Sequence, residues 1–160
     1  GTVFPATGGV PVPKRDPSRQ AYRLLEIERY GKKLNININK QPKFFPPADP
    51  HKAALFAIAA IKNGSILDFG KSVLTKLWSE EQDISSDSTL ESICKELGLS
   101  FADLKKDADN EEIKSVYLSN SKDAISKGVF GAPSFIIDNE LFWGQDRLDF
   151  LEDKIKSLQK

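Results

Sequence analysis

The sequence predicts an α/β chain that is mostly helical, in which a long helical run is closed by a two-stranded hairpin and a final helix. Three observations predict it. Apolar residues recur at helical spacing, segment after segment, between residues 17 and 127. The pattern then changes to two short apolar runs, Phe135-Ile136-Ile137 and Leu141-Phe142-Trp143, separated by the turn pair Asp138-Asn139. After Gly144 the helical period returns with Leu148, Leu151, Ile155 and Leu158, read as an inward stripe.

The elements follow in order. Residues 1–16, GTVFPATGGVPVPKRD, are rich in Gly and Pro and read as an irregular surface loop. Pro17 suits a first helical turn, where its missing N–H costs nothing, and Tyr22, Leu25, Ile27 and Tyr30 stripe that helix to about Lys33. Ile36 and Ile38 alternate with asparagines over 35–39, a strand-like stretch, before Phe44-Phe45-Pro46-Pro47 turns the chain. Asp49-Pro50 starts an almost all-round apolar helix carrying Ala53, Leu55, Ala57, Ile58 and Ile61, which Asn63-Gly64 ends. Residues 66–81 carry Ile66, Phe69, Val73, Leu74, Leu77 and Trp78 at helical spacing. Asp87 or Ser88 is placed to cap the next helix, with Glu91 as capping-box partner of Ser88, and Gly98 stops it. A short helix over 101–108 and a longer one from about 110 to 127 lead to Gly128.

Composition narrows the function. A chain of 160 residues is long enough for one domain with a sizeable core. Lys plus Arg and Asp plus Glu number 23 each, so nothing in the net charge favours nucleic acid or an anionic membrane. Cys94 is the single cysteine, which excludes a disulfide or a dithiol redox cycle within the chain. His51 is the single histidine, so no metal site is expected. Without a long apolar span or a signal peptide, an intracellular, cytoplasmic protein is expected, with the mitochondrion or another organelle as the alternative. The chain opens on Gly1 and contains no Met, so the true N-terminus is expected upstream.

The words GVFGAPSF at 128–135 and ELFWGQDRLDFL at 140–151 carry a resemblance, with looser echoes at 6–26 and in KFFPPADP at 43–50. Helix, Gly-Val-Phe-Gly-Ala-Pro, strand, turn, strand and helix is similar to the thioredoxin fold after its inserted helices. The chain resembles the 2-hydroxychromene-2-carboxylate isomerases and, more distantly, the kappa-class glutathione transferases of the DsbA-like superfamily. The resemblance implies one partial DsbA-like domain over 1–160, with a helical insertion over 50–127 and a C-terminal strand–strand–helix over 128–160. It also implies that the first strand–helix–strand unit lies outside this sequence.

The same resemblance implies glutathione as cofactor. The ligand's cysteinyl backbone is expected against Ala132, next to a cis Pro133. Gln145 and Asp146 are expected to hold the γ-glutamyl end, at a helix N-terminus whose free N–H groups accept a carboxylate. Arg19 is a further cation for a carboxylate of glutathione or substrate. Gly9 stands where the kappa enzymes have Asn, which removes a polar contact. Trp143 and Trp78 are candidates for the wall of a substrate pocket. The serine whose hydroxyl favours the glutathione thiolate is expected upstream of Gly1, so none of the 160 residues is assigned as catalytic.

Plainer roles stand beside these. Pro133 also fits as a simple strand-opening proline, which donates nothing to a ladder. Asp146 and Arg147 suit any first helical turn. Trp143 and Trp78 fit ordinary packing, His51 reads as a surface residue, and Cys94 as a small buried hydrophobe. The expected activity is a glutathione-dependent isomerisation of a small aromatic-derived substrate by thiolate addition, rotation and elimination. The alternatives are a kappa-like transferase, a DsbA-family oxidoreductase-like protein and a non-catalytic thioredoxin-like module. The expected partner is a small-molecule substrate; a homodimer is expected by analogy alone.

Overall fold

The structure, a computed structural model, describes residues 2–64 and 66–159. In chain order its helices are α1 (Val3–Ala6), α2 (Pro17–Leu34), α3 (Pro50–Ala59), α4 (Ile66–Trp78), α5 (Asp87–Glu96), α6 (Phe101–Ala108), α7 (Glu111–Ser126) and α8 (Leu148–Leu158), and its strands are β1 (Ser134–Ile137) and β2 (Glu140–Trp143). The chain forms two compact units, one spanning Asp16–Tyr117 and one combining Gly1–Arg15 with Leu118–Lys160.

The Asp16–Tyr117 unit holds the hydrophobic core. Small residues on α3 (Ala53, Ala59 and the following Ala60) let neighbours close in, and Phe69, Val73 and Leu77 of α4 fill the space with Leu90, Ile93 and Cys94 of α5 and Leu104 of α6. Phe56 stacks on Phe69 at 6.4 Å between centroids and on Phe101 at 5.7 Å. Asp16 caps α2 by accepting from the Ser18 N–H at 2.8 Å. Asp49 caps α3, accepting from His51 N–H at 2.9 Å. Lys76, buried on α4, staples that helix to α5 by pairing with Glu80 at 2.9 Å and Glu96 at 2.7 Å.

Two local expectations are corrected here. Residues 35–39 form no strand among the described residues. Asn35 takes a left-handed φ of 53°, Ile36 returns its N–H to Gly31 at 2.9 Å, and Asn39 donates to the Trp78 carbonyl at 2.7 Å. The Ile38 side chain occupies the space where a Gly31 Cβ would stand, so packing onto α2 takes the place of a ladder. The α5 cap is Ser86, whose hydroxyl accepts from the Thr89 N–H at 3.2 Å, rather than Asp87 or Ser88.

Asp87 is drawn away from capping by two lysines, Lys52 at 2.6 Å and Lys105 at 2.6 Å. Their hydrogen bonds hold its carboxyl at about 2, below the ordinary 3.8. A folded-state value below the unfolded one stabilises above the unfolded value, and the contribution disappears as pH falls through the folded value. Thermal melts of wild type and Asp87→Asn are therefore expected to differ most above pH 4 and to converge toward pH 2. A gap that stays constant across that window would overturn this role.

In the other unit, β1 and β2 pair antiparallel with Ser134 opposite Trp143 and Ile137 opposite Glu140. The two residues between them, Asp138 (φ 52°) and Asn139 (φ 62°), both adopt left-handed conformations, the geometry of a tight hairpin whose twist matches its strands. Lys154 of α8 pairs with Glu140 at 3.1 Å and Asp138 at 3.6 Å, tying the helix to the hairpin's turn end. The expected inward stripe of α8 is corrected: Leu148 and Leu158 are half exposed, Ile155 is exposed, and only Leu151 is partly covered. Gly144 is the only residue buried in this unit among those described, because a single hairpin, α8, the short α1 and the end of α7 offer too little surface to enclose apolar side chains. Within the expected loop over 1–16, the described residues 2–16 form α1 and a 3-10 turn at Val12–Lys14, residue 1 lying outside the described residues.

Candidate functional site

The candidate site residues of the hairpin unit gather at one end of the hairpin. Pro133 brings no N–H to the ladder, which starts at Ser134, and the Ala132–Pro133 peptide is cis. The Pro133 carbonyl instead accepts the Gly144 N–H at 3.0 Å, extending the pairing of the two arms beyond the strands. Among the described residues neither the N–H nor the carbonyl of Ala132 has a hydrogen-bond partner, and the residue is exposed. A backbone donor and acceptor are thus presented together beside a strand end.

Gly144 then turns the chain. Its φ of 115° lies in the region that side chains disfavour, and the Asp146 carboxylate lies where a Cβ would be. The Arg147 N–H returns to the Gly144 carbonyl at 3.3 Å, leaving Gln145 and Asp146 exposed on the turn. The helix begins only at Leu148, with Arg147 at its N-cap, so Gln145 and Asp146 precede the helix instead of forming its first turn. Asp146 meets Arg147 at a loose 3.6 Å, with both side chains half exposed, a pair worth little by itself. The carboxylate remains available to a cation.

Trp143 lies on the same end. It is half exposed, meets Phe130 edge-on at 4.9 Å between centroids, and lies against Gly131, whose missing Cβ makes the contact fit. Ser134 secures the Gly131 carbonyl by donating to it at 2.7 Å. The outcome is an aromatic wall next to the open Ala132 backbone. Near the chain start, the Phe4 ring fills the space beside Gly9 and Phe4 accepts the Gly9 N–H at 2.8 Å, so a polar side chain there would collide with that ring.

Arg19, Trp78, His51 and Cys94 belong to the Asp16–Tyr117 unit. Arg19 is exposed on the first turns of α2. Trp78, at the end of α4, is half-buried, packs on Phe45 at 4.7 Å, and lies under the Arg23 guanidinium at 5.5 Å. His51 is exposed and its Nδ1 shares a hydrogen bond with the Tyr117 hydroxyl at 2.7 Å. Cys94 is fully buried, and desolvation pushes its thiol above the ordinary range, the opposite of what a reactive thiolate needs.

The sequence matches the DSBA-like thioredoxin domain family over residues 2–156. The chain belongs to that family. This DSBA-like domain is 28% identical over 129 residues to a 2-hydroxychromene-2-carboxylate isomerase of Sphingobium xenophagum, covering 81% of this chain and 64% of that protein. It also superposes on the solved structure of a selenomethionine-labelled 2-hydroxychromene-2-carboxylate isomerase with a TM-score of 0.77, at 22% identity, covering 98% of this chain and 75% of the other. The shared fold is thus DsbA-like and, in this chain, mainly helical. The chain spans just under two thirds of the length of the curated relative that it matches. No helix of the described residues is long and apolar enough to cross a membrane.

Sequence reasoning missed Phe130, Gly131, Gly144 and Arg23. A signal existed for the glycines: each flanks a candidate residue within a motif, where a close approach of backbone or side chain is a standing reason for Gly. Arg23 carried none, since nothing in its helical spacing forecasts a partner 22 residues later in Phe45.

Proposed function

We propose that this DSBA-like domain contributes the ligand-holding end of a glutathione-dependent isomerase of the 2-hydroxychromene-2-carboxylate type. One observation carries the reading. The paired arms hold an uncommitted backbone donor and acceptor at Ala132 and an exposed carboxylate at Asp146 on one hairpin end, linked through the Gly144-to-Pro133 hydrogen bond of 3.0 Å. An extended γ-glutamyl peptide has matching groups: a backbone amide and carbonyl at its cysteinyl residue and an α-ammonium at its end.

The residues divide the work simply. Ala132 aligns the peptide by main-chain hydrogen bonds, in the manner of a strand added to an edge. Asp146 takes the α-ammonium and Gln145 a neighbouring carboxylate or amide, while Trp143 and Phe130 exclude water from one side. When bound, glutathione supplies a thiolate able to add reversibly to a conjugated substrate. The protein's part is positioning, which removes much of the entropic barrier. The relative's name supports the small aromatic-derived carboxylate as substrate class. The single, buried Cys94 offers no dithiol, so nothing here favours an oxidoreductase cycle over the isomerase.

Calorimetric titration of the chain with reduced glutathione tests this. Saturable, equimolar binding that S-methylglutathione shares is expected, because Ala132, Gln145 and Asp146 address the peptide and not the thiol. Absence of heat with either ligand would overturn the reading.

A further inference from the structure

We infer that the cleft between α4 and the end of α5 binds a small neutral polyol through hydroxyl groups on adjacent carbons. The cleft has a volume of about 240 Å³ and lies wholly within the Asp16–Tyr117 unit. Its most deeply buried lining residue is Lys76, 8% exposed, whose ammonium pairs with Glu80 at 2.9 Å and Glu96 at 2.7 Å. An ammonium carries three N–H donors, so one N–H of Lys76 has no acceptor among the described residues. The two carboxylates are each used at one oxygen only. Glu80 accepts Lys76 and Gln82 at the same Oε2, and Glu96 accepts Lys76 and Ser92 at the same Oε1. Glu80 Oε1 and Glu96 Oε2 are thus without partners among the described residues.

The walls add further unspent capacity. Among the described residues the hydroxyls of Ser72 and Thr75 make no hydrogen bond, and Asp68 and Lys71 form no ion pair although one helical turn separates them on α4. Charge then selects the ligand. Asp68, Glu80 and Glu96 against Lys71 and Lys76 leave the lining with one net negative charge, which disfavours an anion. A cation fares no better, because the deepest group is itself an ammonium, and its hydrogen bonds to Glu96 and Glu80 raise its pKa above the ordinary 10.5. A hydroxyl is neutral, and it both donates and accepts. One hydroxyl accepts the spare Lys76 N–H and donates to Glu80 Oε1. Because a single ammonium bridges the two carboxylates, a hydroxyl on the next carbon is the group that reaches Glu96 Oε2. Ser72 and Thr75 serve hydroxyls further along the ligand, and the half-buried Leu97 meets its carbon atoms.

The cleft shares no residue with the hairpin end and needs no glutathione, so it stands or falls separately from the proposed function. Backbone amide resonances of Thr75 and Leu97 give the readout, in titrations with probes of equal carbon count. Xylitol is expected to move both saturably, with a Kd of about millimolar order. D-xylose carries adjacent hydroxyls on a ring. Binding by D-xylose alone assigns the cleft to cyclic sugars, and binding by xylitol alone to open-chain polyols. Pentanol (one hydroxyl), cadaverine (cationic) and glutarate (anionic) are expected to leave both resonances in place. Ser72→Ala combined with Thr75→Val removes two hydroxyls and is expected to weaken binding about tenfold. Silence of the resonances toward both xylitol and D-xylose would overturn the inference. So would equal movement by any of the other three probes, or a double variant that titrates like wild type. Should the double variant fail to fold, the probe series on the wild-type chain decides the matter. A chain that binds xylitol but ignores glutathione refutes the proposed function alone; the reverse, with D-xylose also silent, refutes only this site.

Discussion

Phe69→Ala is expected to destabilise the chain by about 3–5 kcal/mol, lowering its thermal midpoint by about 10 °C or more. Phe69 has no exposed surface and stacks on Phe56, which in turn stacks on Phe101, so its ring ties α4 to α3 and, through Phe56, to α6. Removing it takes away the transfer free energy of a large side chain and leaves a cavity that three rigid helices cannot collapse to fill. Leu74 on the same helix is the matched control, since it is 59% exposed; its replacement by alanine is expected to change stability by less than about 0.5 kcal/mol. Circular dichroism melts of both variants check the pair. Similar losses for the two would mean that the buried face of α4 has been misread.

Asp146→Asn is expected to weaken glutathione binding by about tenfold while leaving the fold intact. The carboxylate is half exposed and lies over Gly144, so asparagine fits the same space and only the charge is lost. Partial exposure and solvent screening limit the effect to the lower end of what a charge-assisted hydrogen bond contributes. The contrast is made with a glutathione analogue that lacks the α-amino group. Its affinity is expected to be weak for wild type and unchanged by Asp146→Asn, because the variant and the analogue delete the two halves of one contact. Equal binding of glutathione by wild type and variant would remove Asp146 from the site.

Much of the architecture was legible because period and punctuation agree over most of the chain. Phe101–Ala108 lies where apolar spacing placed it, Pro50 opens α3 as expected although the α-helix ends at Ala59 and a 3-10 turn over Ala60–Asn63 carries the chain to Gly64, and the hairpin turn follows from Asp138-Asn139, residues that tolerate left-handed backbone. Where the reading failed, a long-range contact had outweighed a local preference. Ile36 and Ile38 alternate as a strand does, yet Ile38 is spent on Gly31 and Asn39 on Trp78. Asp87 is a good capping residue, yet two lysines from other helices claim it. The α8 stripe has a faultless period, but periodicity states which face is apolar and not whether anything covers it. For the site, the motif around 128–147 pointed to Ala132, Pro133, Gln145 and Asp146, and the structure places them on one hairpin end. The main-chain link between Gly144 and Pro133 follows from the two-residue turn once its register is carried one rung past the strands.

The hairpin's turn has a consequence for that end. A loop of only two residues, both left-handed, allows one register, and in an antiparallel pair the register decides which residues face each other at every later rung. Asp138 and Asn139 therefore act as a ruler for residues they never touch: they set Gly144 opposite Pro133, and so set the span between the Ala132 backbone and the Asp146 carboxylate. One residue inserted in the turn would slip the ruler by a notch, turning Trp143 away from Gly131 and carrying Asp146 off its mark. The spacing that the proposed ligand would have to match is thus written at the opposite end of the ribbon from where that ligand would lie.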